Sequence, residues 1–165
     1  MTHQRPEHVM RDVPEDTMLP LFLDHVRSVM IRKVEDVDPE GLRMSPVDSG
    51  TCLGGLIKHL AYVERWWFQA VWRSDPVEFP WTDEDPDAEF RLDPDDTADS
   101  LIEFYRHECD LSRRLTEDSD LDDTIPWRDG RMSLRWIMVH MIEETARHCG
   151  HADIIRELVD GQVGV

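Results

Sequence analysis

Glu144, His148 and His151 follow one another at intervals of four and three residues. In a helix that spacing puts their side chains on one face. Apolar residues continue the line on both sides: Ile137 and Met141 precede it, Ile155 and Leu158 follow it. Two turns of a core-facing stripe are therefore polar and titratable. Burying a carboxylate and two imidazoles without partners costs several kcal/mol, so something must compensate them. Two arrangements do so: a divalent cation held by the carboxylate and imidazoles, or a buried Glu–His hydrogen-bond network with Arg147 or Arg135 nearby. His140, one turn earlier, falls at the edge of the stripe.

A second line supplies a candidate from another direction. Leu56, His59, Val63 and Trp66 form a core-type stripe supported by Leu60 and Trp67, and His59 is its one titratable member. His59 with Glu144 and His148 makes three protein ligands and leaves a coordination position open, the layout of a catalytic metal site. Competing chemistries lack their signatures. There is no H-E-x-x-H, no paired E-x-x-H, no G-x-S-x-G and no phosphate-binding loop. Gly54-Gly55 reads as close packing or a permissive first turn. Glu108 lies on the stripe of its own helix, as an acceptor for a ligand histidine or a helix-edge carboxylate. Cys149 points to a different face from His148 and reads as core, His25 and His107 as surface or edge.

Four helical segments are needed to position these residues. The first spans about 15–36, with Leu19, Leu23, Val26 and Met30 in register. The second spans about 51–72 behind the cap-rich stretch Ser45–Gly50. The third begins at Asp93-Pro94, read as N-cap and first-turn proline, and carries Leu101, Phe104, Leu111 and Leu115. The fourth runs from Ser133 to Gly161, a left-handed C-terminal cap. No stretch alternates long enough to predict a sheet. The connection from about 74 to 92 is long and holds Pro76, Pro80 and Pro86, which marks it as functional or surface-wrapping. The expected fold is all-α: a four-helix bundle with a long acidic connection between helices 2 and 3.

The chain has 165 residues, a length for one domain spanning 1–165 with its core at about 15–160. Its net charge is −18, but the charge is unevenly placed. Residues 75–99 hold eleven acids against Arg91, and residues 117–123 hold five acids and no base. These connections carry −10 and −5, so the remaining scaffold is nearly neutral. Such a protein is repelled by nucleic-acid phosphates and anionic lipid, and no apolar run reaches the ~20 residues of a membrane span. Three scattered cysteines read as reduced core thiols, and the first residues lack an apolar signal region. Together these place the protein in the cytoplasm.

The segments Gly54-Gly55-Leu56-Ile57-Lys58-His59-Leu60 and Glu144-Thr-Ala-Arg-His148-Cys-Gly-His151 resemble the DinB-like (YfiT-like) superfamily of metal-binding four-helix bundles, over about residues 15–160. Many members carry three histidine ligands, two of them spaced i, i+4 on the last helix. Glu144 departs from that pattern in the manner of the branch containing mycothiol-dependent transferases and maleylpyruvate isomerase. The resemblance implies His59, Glu144 and His148 as ligands of a divalent metal, zinc first, with nickel, iron or manganese also fitting two imidazoles and a carboxylate. It implies His151 as a neighbour or alternative ligand, with His151 or a metal-bound water moving protons, a low-molecular-weight thiol (mycothiol) as co-substrate, and a small-molecule electrophile as its acceptor. The implied activity is a metal-dependent thiol S-transferase or isomerase, in which the metal would activate the thiol as a thiolate. Sixteen arginines against two lysines fit a mycothiol-making actinobacterium, and related bundles often pair as homodimers. The alternative is a non-catalytic metal- or ligand-binding stress-response bundle.

Overall fold

The computed structural model describes residues 12–164. The N-terminal stretch read above as lacking a signal region lies outside the described residues. Five α-helices and one short hairpin make a mostly helical bundle: α1 Glu15–Val34, α2 Pro39–Arg43, α3 Leu53–Glu64, α4 Ala98–Thr116 and α5 Leu134–Asp160, with β1 Thr124–Trp127 and β2 Gly130–Ser133 before α5. Helix α3 runs on as a π-helical stretch over Arg65–Trp72. Among the described residues no helix is long and apolar enough to cross a membrane.

Local chemistry sets most boundaries. Asp38 caps α2 by accepting the Gly41 amide at 2.7 Å, with Pro39 in the first turn. Gly161, at φ 78°, closes α5 in the left-handed conformation. Helix α4 starts four residues later than the Asp93-Pro94 expectation. Thr97 and Ser100 form a reciprocal capping box, while the Asp93 carboxylate is occupied by Lys58 at 2.7 Å. The hairpin corrects the expectation of no sheet: Thr124 pairs with Ser133 and Trp127 with Gly130, antiparallel. Four-residue strands are too short to register as alternation. Pro126 sits opposite Arg131, the non-hydrogen-bonded pair next to the two-residue turn, so its missing N–H removes nothing from the ladder.

The core falls into two apolar clusters. One packs Met30, Leu42, Leu53, Ile57, Leu60, Leu101 and Tyr105; the other packs Leu23, Phe68, Leu134, Ile137 and Met141. Along each long helix a polar residue lies between the two sets: Arg27, Glu64, Ser112 and Thr145, all buried. Arg27 grips Glu64 with two bonds of 2.8 and 2.6 Å, and Ser112 adds a third at 2.7 Å. A neighbouring set ties Glu108 to Arg65 at 2.7 Å and to Gln69 at 2.6 Å.

This polar layer moves both expected stripes. On α3 the buried line is Ile57, Leu60, Glu64 and Phe68, while Trp66 is 37% exposed. A carboxylate takes a core position because Arg27 neutralises it. On α5 the buried line passes through Met141, Thr145, Cys149, Ala152 and Ile155, leaving Leu158 56% exposed. The small residues let α1 come close, and the Cys149 thiol donates to the Val26 carbonyl at 3.4 Å.

Candidate metal centre

Gly55 determines how the acidic connection meets α3. A Cβ there would stand 2.5 Å from the Phe90 carbonyl oxygen, and one on Gly54 would stand 2.6 Å from Leu92. The two glycines thus let the segment around Phe90 lie directly on the first turn of the helix. Lys58 pins the same segment, donating to the Arg91 carbonyl at 2.9 Å and to Asp93 and Asp96 at 2.7 and 2.9 Å. One turn along α3, the Phe90 ring stacks on the His59 imidazole, with centroids 4.2 Å apart.

His59 faces α5 across the bundle. Its Nε2 lies 3.4 Å from Glu144 Oε1, and His148 Nε2 reaches the same oxygen at 3.1 Å. One donor atom from each of these residues fits within 4.8 Å of the others. All three side chains are 12–15% exposed, sheltered but reachable from solvent. The hydrogen bonds from His148 and His59, opposed by partial burial, hold the Glu144 carboxyl far below the usual carboxylate range. Glu144 is therefore anionic at neutral pH, and Arg147 approaches its other oxygen at 3.5 Å.

The outward nitrogens of the two imidazoles also have neighbours. His59 Nδ1 lies 3.4 Å from Glu89 Oε1, and His148 Nδ1 lies 3.4 Å from His151 Nδ1. Each ring thus turns Nε2 to the common point and Nδ1 away from it. His59 Nδ1 and Glu89 Oε2 are buried without a hydrogen-bond partner. Two imidazoles and one anionic carboxylate converging on one point suit a borderline divalent cation such as zinc.

The structure brings His59, Glu144 and His148 together and sets His151 outside them, exposed and against His148. His140 stacks on Trp136 instead, and Arg135 pairs with Glu15 and Asp122 away from Glu144. Glu108 is neither a helix-edge group nor an acceptor for a site histidine; it is buried against Arg65 and Gln69. Cys149 is buried, His25 half-buried and His107 exposed. Sequence reasoning singled out neither Glu89 nor Phe90, because both sit in an acidic connection read only as functional or surface-wrapping. The signal was the short apolar break Ala88, Phe90 and Leu92 within that connection.

Beside the site opens a cavity of about 270 Å³ lined by Val63, Trp66, Trp81 and Glu89. The geometry can hold a cation, keep a carboxylate ionised and admit a small molecule next to both.

Comparison with known proteins agrees with the fold. A conserved protein from Enterococcus faecalis, known from its crystal structure, aligns with a TM-score of 0.67 at 16% identity, over 92% of this chain and 100% of that one. At that identity the likeness speaks for the fold alone. None of the curated proteins compared with the chain matches it. The family described as Mycothiol-S-transferase matches residues 18–161. With nearly the whole bundle matched, both helices of the His59–Glu144–His148 cluster included, the chain belongs to the mycothiol-S-transferase family.

Proposed function

We propose that the protein is a metal-dependent mycothiol S-transferase of the cytoplasm, joining the thiol sulfur to an electrophilic small molecule. The observation that carries this reading is the convergence of His59 Nε2 and His148 Nε2 on Glu144 Oε1. Family membership supplies the thiol. In this reading the bundle is a single four-helix domain of the DinB/YfiT type. Its acidic surface keeps polyanions away, and two copies pair.

His59, Glu144 and His148 would hold the divalent ion, zinc by donor set, with nickel, iron or manganese as other candidates. When bound, the ion lowers the pKa of a thiol so that thiolate is present at neutral pH. Glu144, already anionic, offsets the positive charge without needing to lose a proton. Glu89 and His151 stand near the Nδ1 atoms of the two imidazoles, so each ring could keep its proton on Nδ1 and offer Nε2 to the ion in place of the Nε2–H bond to Glu144. His151, exposed at the margin, carries the proton released by the thiol to water. The S–H bond gives up its proton, the S–C bond forms, and the leaving group departs with its electron pair. No side chain of this protein is the nucleophile: all three cysteines are free and buried.

Purified protein assayed for metal content and for conjugation of mycothiol to monochlorobimane tests the reading. Stoichiometric metal with thiol-dependent turnover is the expected result. Metal-loaded protein inert with mycothiol, bacillithiol and glutathione alike would sink it, and would favour a non-catalytic metal-binding bundle.

A further inference from the structure

The face of α3 that carries His59 continues, one turn on, to Val63 and then Trp66. Trp66 is 37% exposed, although a large indole is normally drawn into the core. Its partner Trp81, from the acidic connection, stands 6.2 Å away at 62°, and Phe79 stacks on Trp81 at 4.3 Å while meeting Trp66 edge-on at 5.5 Å. Contacts with Phe79, Tyr62 and Trp66 hold Trp81 against the helix on an otherwise irregular segment. Together with Val63 and Glu89 the two indoles bound the 270 Å³ cavity beside His59.

The chemistry of that cavity is selective. Indole faces are electron-rich, so they attract flat, electron-poor rings. A carbon that accepts a thiolate is electron-poor for the same reason that it reacts. Glu89 is the one charged residue lining the cavity, and the connection it belongs to carries eleven acids against one base, which repels anions. The volume lies at the small end of ligand sites: it accommodates a single ring, not a whole glycosylated thiol.

We infer that the Trp66–Trp81 cavity is the acceptor subsite, binding a flat, uncharged, electron-poor ring next to the thiol-activating centre and rejecting carboxylated analogues. The inference rests on the thiol-transfer reading for its meaning but not for its test. Binding is measured without thiol, by calorimetric titration of 1,3-dinitrobenzene against its anionic counterpart 3,5-dinitrobenzoate. The neutral ring is expected to bind at least roughly tenfold more tightly. Trp81→Ala and Trp66→Ala should each weaken it by roughly tenfold, while Trp81→Phe, which keeps a ring face, restores most of the loss. Metal content should stay unchanged in all three variants.

Equal affinity for the two probes, or undiminished affinity in both alanine variants, overturns the inference. The enzymatic arm separates it from the functional reading. Tight dinitrobenzene binding in a protein with no mycothiol turnover removes the transferase and leaves the subsite. Turnover whose KM for monochlorobimane is the same in wild type and both alanine variants removes the subsite and leaves the transferase.

Discussion

Glu89 Oε1 lies 3.4 Å from His59 Nδ1, on the opposite side of the ring from Glu144. With a cation in place of the Nε2 proton, a carboxylate in that position is the acceptor within reach of Nδ1–H. Glu89→Gln is therefore expected to weaken zinc affinity by about 10- to 100-fold while leaving one metal per chain at saturation. Competition against a chromogenic chelator measures it. Wild-type affinity in the variant would show that Glu89 has no part in holding His59.

Removing a ligand should uncouple stability from metal. For a ligand binding only the folded state, saturation at about 100 times Kd adds about 2.7 kcal/mol. Chelation should therefore lower the melting temperature of the wild type and leave that of His148→Ala unmoved. His59→Ala and Glu144→Ala should behave like His148→Ala, because each breaks the same three-donor set. A chelator-sensitive melting temperature in all three variants would speak against this cluster as the metal centre.

The two kinds of glycine should respond oppositely to alanine. At Gly55 the new Cβ would meet the Phe90 backbone oxygen at 2.5 Å, forcing the segment that carries Phe90 and Glu89 off the helix. A loss of about 1–3 kcal/mol and weaker metal binding are expected together. At Gly150, exposed on α5, nothing lies within 4 Å. Gly150→Ala should raise stability by about 0.5–1 kcal/mol through helix propensity alone. Urea unfolding with and without zinc distinguishes the two.

The buried pair of Arg27 and Glu64 is expected to show strong coupling. Glu64→Leu leaves the Arg27 guanidinium buried with Asp24 as its remaining carboxylate, at 2.8 Å, and should cost about 3–5 kcal/mol. Arg27→Met combined with Glu64→Leu removes both charges and should be far milder. A double-mutant cycle in which the two losses simply add would contradict the pairing.

The cysteines should be silent in the native state. Burial pushes the Cys149 thiol up to about 12, helped by Asp153, and pushes Cys109 well above its ordinary value. Ellman's reagent at pH 8 should find almost no fast thiol in the folded protein and three in denaturant. The sign of the pH effect follows. Thiols ionise more readily in the unfolded chain, so it binds fewer protons above about pH 8.5 and stability falls as pH rises from there towards 12. Fast native labelling of Cys109 or Cys149 would reopen the question of a protein nucleophile.

Much of this was legible from residue spacing. The i, i+4 pair Glu144 and His148 needs only helical geometry to share a face, and the helix ends at Ser133 and Gly161 follow from cap chemistry local in sequence. What misled was polarity used as a proxy for exposure. The stripe through Val63 and Trp66 passed over Glu64, whose burial depends on Arg27, thirty-seven positions away; the core line of α3 turns away from Trp66. The hairpin before α5 was hidden because two four-residue strands carry almost no periodic signal.

By itself the sequence determined a mostly helical chain, a carboxylate and two imidazoles placed on two helices, and a charge held mostly in the connections. These depend on composition and on spacings of three and four residues. Only the tertiary structure decided which of the clustered acids lies beside His59. The absence of side chains at Gly54 and Gly55 lets the acidic connection lie on α3, and that contact places Glu89 and Phe90 around His59. Such a contact joins segments more than thirty residues apart. No local pattern encodes it, because its cause is the empty space above a glycine.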